Sequence, residues 1–237
     1  TRPRFDARAM VMTAEIALAF GKSFLFVFAA LLPILNPAAT APIFLGLTEG
    51  ASARTRAMLA RKIARNMFAL MLGSMLVGSH VLAFFGISLP IVRVGGGLIL
   101  AATAWRLLTA TQSTADSRTE LAEAFTPEMA RRQAFYPLTF PISCGPGSIA
   151  AAITVGVSLS HERVTLALAN IGGGVIALLA IGVLLYLAFR YADHLLRPLG
   201  EAGAIIFLRL SAFILLCLGV QIVWDGVSEL LRSLPLG

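Results

Sequence analysis

The chain alternates between long apolar stretches and short polar ones. Residues 67–92, 94–105, 164–189 and 210–224 contain no Asp, Glu, Lys or Arg. About 20 apolar residues are enough for a helix to cross the hydrocarbon core of a bilayer. The pattern therefore predicts six membrane-crossing helical segments, at residues 15–47, 66–85, 90–108, 134–160, 165–191 and 202–231.

The composition supports an all-α membrane protein. The chain is 58% hydrophobic and 13% charged, with a mean hydropathy of +0.85, whereas soluble domains carry about 25% charged residues. The formal charge of +7 does not indicate nucleic-acid binding, because the arginines fall in short polar stretches and no basic face alternates with exposed aromatic residues. Cys144 and Cys217 lie in apolar segments, which predicts neither a disulfide framework nor a metal site.

The distribution of Lys and Arg predicts the orientation. With six crossings, both termini lie on one side, which carries seven of these residues, and the opposite side carries twelve. Because positive charge accumulates on the cytoplasmic side, the count predicts that both termini are outside. Residues 48–66 and 109–133 are then cytoplasmic loops, and the outside is the periplasm if the cell envelope has two membranes.

Two of the apolar segments are interrupted by proline and glycine. The first contains LLPILNPAATAPIF (residues 31–44), and the fourth contains YPLTFPISCGPGSI (residues 136–149). Proline lacks the backbone donor of a helix and clashes with the carbonyl four residues earlier. Irregular backbone at membrane depth is tolerated only where protein or water supplies partners. The two stretches therefore predict that helices 1 and 4 are discontinuous.

The interruptions form part of an internal repeat. LPILNPAATAPI (32–43) matches FPISCGPGSIAA (140–151), and PIVRVGGGLIL (90–100) matches IFLRLSAFILL (206–216). Three crossings per repeat insert the second repeat with the opposite orientation. The sequence thus predicts one membrane domain made of two inverted three-helix repeats, residues 14–111 and 134–232, joined by a cytoplasmic linker at residues 112–133.

Paired interruptions of this kind indicate a binding site. Transporters built from inverted repeats bind substrate near the midplane, at broken helices, whose ends expose N–H groups on one side and carbonyls on the other. The N-termini at 38–42 and 147–149 are expected to hold a carboxylate, and the carbonyls at 33–36 and 141–145 an ammonium group. For the side chains, helix capping is an alternative role that stays open. The candidate substrate-binding residues are Asn36, Pro37, Thr40, Ser143, Gly145, Pro146, Gly147 and Ser148.

Two arginines occupy matching positions in the repeats. Arg93 and Arg209 each lie near the start of an apolar helix, where extension of the side chain to the membrane interface is the ordinary role. Their equivalence also suggests a structural or gating function. The GGG sequences at 95–97 and 172–174 predict close approach between helices.

Several residue patterns that would indicate other functions are missing from the sequence. No Asp or Glu lies near the middle of an apolar segment, which argues against a carboxylate proton relay. Coupling to Na⁺ through backbone carbonyls, or to H⁺, stays open. No metal-binding or hydrolase motif is present, so we expect no enzyme activity and no cofactor. A membrane scaffold or stress-response protein without transport activity is the alternative function.

Three motifs carry a resemblance to a known family. LNPAATAPIFLGLT (35–48), FGISLPIVRVGGGLIL (85–100) and PLTFPISCGPGSIA (137–150) resemble the MarC family, also called SnatA or UPF0056. The resemblance covers nearly the whole chain, with the motifs in the family's order. It implies six crossings, termini outside, an inner-membrane location and transport of small neutral amino acids, with glycine and alanine as the associated substrates. The motifs leave the oligomeric state open, and a homo-oligomer is one option.

The family motifs also map onto particular residues. The NP and GPG motifs correspond to Asn36, Pro37 and residues 145–147. The chain departs from the family at Thr139, Ser143 and Cys144, where alanine, leucine and alanine are more common. The second interruption is thus slightly more polar than is usual, which bears on the choice of substrate.

Overall fold

The computed structural model describes residues 3–48, 51–109, 134–136, 138–196 and 200–233. All regular structure in these residues is helical, with no strand. The predicted linker at 112–133 lies outside the described residues. The helices are α1 (Pro3–Leu35), α2 (Pro37–Leu47), α3 (Ala53–Phe84), α4 (Leu89–Thr109), a π-helical turn (Leu138–Ser143), α5 (Pro146–Ser158), α6 (Val164–Arg190), α7 (Ala192–Leu196) and α8 (Gly200–Ser233).

Among the described residues, four stretches are long and apolar enough to cross a membrane, compared with the six crossings predicted. They are Met12–Leu45, which ends within α2, and then Ala53–Phe84, Val164–Arg190 and Ile205–Ser233. The apolar helix α5 is shorter. Large apolar side chains on these helices face outward, such as Leu25 at 65% exposure and Phe84 at 84%. An apolar surface of this extent is stable only in contact with lipid or a partner.

The basic stretch at residues 54–65 is helical, so the prediction that it forms a loop was wrong. Helix α3 begins at Ala53, and the hydroxyl of its N-cap Ser52 accepts a hydrogen bond from the Thr55 amide. Ala, Arg, Lys, Met and Leu are all strong helix formers, so the propensity of this stretch favours helix despite its charge. Arg56 pairs with Asp193 at 2.5 Å, which ties the start of α3 to α7.

Contacts between the helices define their directions. Helix α6 runs parallel to α1 and α2, since Ser23 Oγ donates to Asn170 Oδ1 (2.9 Å) and the rings of Phe44 and Phe189 stack at 4.5 Å. Helix α3 is antiparallel to α6, with Met75 beside Gly174 and Met67 beside Gly182.

The same α3 runs parallel to the π-helical turn and α5. Asn66 Nδ2 donates to Thr139 Oγ1 (3.5 Å), and Met75 lies against Gly156. The buried core lies between α1, α3, α5 and α6, and includes Leu31, Met71 and Ile181.

Helices α4 and α8 form the most extensive pair in the described part of the chain. They are antiparallel, because Gly97 lies against Gly219 and Val223 while the Pro90 carbonyl lies against Gly226. A Cβ built at Gly97 would be 2.7 Å from the Gly219 carbonyl oxygen. The predicted role of the GGG sequence in close helix approach therefore holds at Gly97.

Candidate functional site

The two helix interruptions face one cavity of about 430 Å³. It lies between α2, α4, α8 and the segment that joins the π-helical turn to α5. The polar and charged side chains and the motif residues around it are Asn36, Thr40, Thr103, Arg106, Ser143, Gly145, Pro146, Gly147, Ser148 and Ser211, and the apolar walls include Ile99, Leu100 and Leu215.

The first interruption is a single residue, Asn36, between α1 and α2. Its φ of 40° is in the left-handed region, which asparagine tolerates better than most residues. The Asn36 side-chain oxygen accepts a hydrogen bond from the Ala39 amide (3.1 Å), and the Asn36 carbonyl accepts from the Thr40 amide (3.1 Å). Thr40 Oγ1 donates to the same carbonyl at 3.1 Å. The Asn36 side chain therefore caps the N-terminus of α2, which is the alternative role considered for it above.

We expect Asn36→Ala to destabilise the protein more than Asn36→Gly does. Alanine loses the cap, at about 1 kcal/mol, and adds roughly 1–2 kcal/mol for a left-handed backbone. Glycine adopts positive φ freely, and replacement of a cap residue by glycine costs only a few tenths of a kcal/mol. Thermal unfolding of the two variants in detergent measures the difference, and equal losses would contradict a role for the positive φ.

The second interruption combines a π-helical turn with a proline-initiated helix. Phe140 has extended backbone angles (φ −117°, ψ 125°), and the Cys144 amide donates to the Thr139 carbonyl at 2.8 Å across five residues. Ser143 Oγ donates to the Leu138 carbonyl at 2.8 Å. Helix α5 then starts at Pro146 after Gly145, which supplies no side-chain cap.

The backbone around the cavity gives it a positive character. The N-termini of α2 and α5 both face it, and a helix N-terminus carries about half a positive charge. Arg106 adds a full charge near its mouth, and no Asp or Glu is among the described residues that line it. Carbonyls at the end of α1 and in the π-helical turn lie beside these N-termini. A ligand with a carboxylate and a nearby ammonium group would find a partner for each.

The structure brings most of the predicted site residues together. Seven of the eight line the cavity. Pro37 is buried behind it and begins α2 without lining the cavity. Sequence reasoning missed Thr103, Arg106 and Ser211, which come from α4 and α8. No local sequence pattern identifies these residues, because the neighbours of a Thr, Arg or Ser in an apolar helix do not indicate which face of the helix lines a cavity.

Neither of the two matching arginines lines the cavity. Arg93 pairs with Glu229 of α8, and its Nε donates to Thr154 Oγ1 of α5 at 3.3 Å. Arg93 thus connects three helices at the end where α4 begins. Arg209 is exposed on α8. The repeat equivalence of the two residues therefore does not extend to their contacts among the described residues.

The fold and cavity define a helical integral membrane protein with a polar site between interrupted helices. Comparison with known proteins identifies the family. Residues 21–231 match the profile of the family described as "MarC family integral membrane protein". The chain belongs to this family.

Its curated relatives include proteins named "UPF0056 inner membrane protein MarC". Those of Citrobacter koseri and Salmonella typhimurium are each 32% identical, and that of Escherichia coli O1:K1 is 30% identical. Each alignment covers 86% of this chain and 93% of the relative. No solved structure matches the chain.

Proposed function

We propose that this protein is an inner-membrane transporter of small neutral amino acids such as glycine and alanine. The observation that carries the proposal is the cavity where two interrupted helices meet. It combines exposed helix ends with hydroxyl groups and one cation, and no acidic residue is among its described lining. The inner-membrane location rests on the names of the relatives.

The helix directions support an inverted six-crossing repeat. In this arrangement α1 with α2, α3 and α4 form one repeat, and the π-helical turn with α5, α6 and α8 form the other. If the two repeats are interchanged, α1 corresponds to α5 and α3 corresponds to α6. The pair α1 and α6 then corresponds to the pair α5 and α3, and the helices of each pair run parallel. The α4–α5 contact likewise corresponds to the α8–α2 contact.

The positive-inside count predicts that both termini lie outside. The cavity then lies toward the cytoplasmic side, where Arg106 borders its mouth. At the opposite end, α4 and α8 are in close contact at Gly97 and Gly226, and the Arg93–Glu229 pair joins them. This conformation corresponds to an inward-facing state.

The uncapped N-terminus of α5 is the better carboxylate site of the two. At α2, the Asn36 side chain already occupies the Ala39 amide. At α5, no side chain caps the helix, and Gly147 in its first turn lines the cavity, so its amide is available to a carboxylate. The ammonium group is then received by carbonyls of the π-helical turn. Glycine fills only a small part of about 430 Å³, so water shares the cavity or larger neutral amino acids enter it.

Arg106 lines the cavity and is expected to donate a charge-assisted hydrogen bond to the substrate carboxylate. Arg106→Gln should raise KM for glycine several-fold and leave the maximal rate unchanged, because the charge-assisted hydrogen bond to the carboxylate is lost. Arg209→Gln is the matched control, since Arg209 is exposed and does not line the cavity. Initial uptake rates over a range of glycine concentrations test this, and an equal KM in the two variants would contradict a contact between Arg106 and the substrate.

Counterflow of labelled glycine and alanine in proteoliposomes tests the function itself. Exchange above that of empty liposomes supports transport, and a dependence on a Na⁺ or H⁺ gradient identifies the coupling ion. A panel of amino acids in thermal unfolding adds a binding test, because a ligand of the folded state raises the melting temperature. No exchange and no thermal shift would favour the alternative of a scaffold or stress-response protein without transport or enzyme activity.

A further inference from the structure

A second pocket of about 410 Å³ lies on the outer surface of the helix bundle, between α3 and α6. We call it the α3–α6 groove. Its walls are apolar along most of their length, with Phe68 on α3 and Leu179 and Val183 on α6. Gly182 forms its floor, and Leu179 and Val183 are 44% and 56% exposed. The groove therefore opens toward the surrounding lipid rather than into the protein.

Basic residues gather at one end of this groove. Arg61 and Arg65, both exposed on α3, line it together with Tyr186 of α6. Arg190 Nη1 donates to the Tyr186 hydroxyl at 2.5 Å, and its guanidinium lies 5.8 Å from the Tyr186 ring centre. Arg61 interacts electrostatically with the same hydroxyl. Two guanidinium groups, those of Arg61 and Arg190, thus interact with one phenol, and Arg65 lines the same groove.

These cations have no carboxylate partner among the described residues. The nearby carboxylate of Asp193 is already paired with Arg56, and no acidic residue lines the groove in the described part of the chain. An uncompensated cluster at the membrane surface attracts an anion, and guanidinium groups bind phosphate through forked hydrogen bonds.

We infer that the α3–α6 groove binds an anionic phospholipid. The lipid phosphate contacts Arg61, Arg65 and Arg190, and one acyl chain lies along Phe68, Leu179 and Val183. A free anion would use only the basic end. A second copy of this chain, packed here by symmetry, would bring like charges together. The inference concerns the membrane environment of the protein and does not depend on its transport activity.

Titration of phosphatidylglycerol into the purified protein, followed by native mass spectrometry, tests the inference. The wild type should bind one phosphatidylglycerol in preference to phosphatidylethanolamine. Removing two cations by Arg61→Gln with Arg65→Gln should weaken binding about thirtyfold. The matched control is Arg54→Gln with Lys62→Gln, which removes two charges from the same helix outside the groove and should retain most of the affinity.

Two results would overturn the inference. One is equal loss of phosphatidylglycerol in both double variants, or no preference over phosphatidylethanolamine in the wild type, which would indicate nonspecific attraction. The other is a dimer mass without bound lipid that disappears in the Arg61 and Arg65 variant, because the groove would then be an interface between copies. Arg54, Arg61 and Arg65 are exposed and Lys62 is half-buried, and an unchanged melting temperature establishes that each variant is folded.

Discussion

Replacing Gly173 with alanine is expected to lower the melting temperature of the detergent-solubilised protein by several degrees. A Cβ at this position would lie 2.3 Å from the Phe20 carbonyl oxygen and 3.0 Å from the Phe24 nitrogen. These are backbone atoms of α1, so no side-chain rotation relieves the contact, and the two helices must separate. Overpacking of this kind costs about 1–3 kcal/mol or more. Hydrogen bonding between Ser23 and Asn170 would weaken with the same displacement.

The neighbouring glycine provides a matched control. A Cβ at Gly172 would lie 3.5 Å from the nearest atom, the Phe20 Cε2, which is an ordinary van der Waals contact. Gly172→Ala should leave the melting temperature unchanged or raise it, because alanine is favoured over glycine within helices by up to about 1 kcal/mol. Equal destabilisation by the two substitutions would mean that α1 and α6 are not in the contact described.

Filling the cavity at Ser211 is expected to abolish amino-acid counterflow and ligand-dependent thermal stabilisation together. Ser211 is 7% exposed on α8 and lines the cavity with Ala212 and Leu215. Leucine replaces its hydroxyl with a larger apolar group directed into the site. It therefore occludes ligand and removes a polar wall, without altering the interruptions in helices 1 and 4.

Ser211→Ala separates the two effects of this substitution. Alanine removes the hydroxyl but adds no volume, so counterflow should fall less than with leucine. A melting temperature of Ser211→Leu near that of the wild type, with transport lost, supports occlusion of the site. Wild-type counterflow in a folded Ser211→Leu protein would place the transported substrate elsewhere and remove the main support for this cavity as the binding site.

The interruptions were predictable because their causes are local. Proline lacks the backbone donor of a helix, and Pro37 and Pro146 stand at the starts of α2 and α5. Pro33 and Pro42, in contrast, lie inside α1 and α2. The positive φ of Asn36 is not a consequence of the proline that follows it, because a residue before proline favours extended backbone. Asparagine is both a cap and a residue that tolerates positive φ. The appearance of both stretches in corresponding positions then predicted that they meet.

The contacts of the arginines were not predictable in this way. Arg93 and Arg106 both lie on α4 with apolar neighbours, yet Arg93 pairs with Glu229 while Arg106 borders the cavity. The difference depends on which helix packs against each face of α4. The helical state of residues 54–65 was not predictable from charge, because basic residues are common in loops and also favour helix.

The sequence by itself determined that this is a helical membrane protein of the MarC family with two interrupted helices, since hydropathy and proline act on the residues where they occur. The tertiary structure alone decided which side chains complete the cavity, because Thr103, Arg106 and Ser211 reach it from helices distant in sequence. It also decided that Gly173 and not Gly172 meets the backbone of α1. Both outcomes follow from the rotation of one helix against another, which no short stretch of sequence specifies.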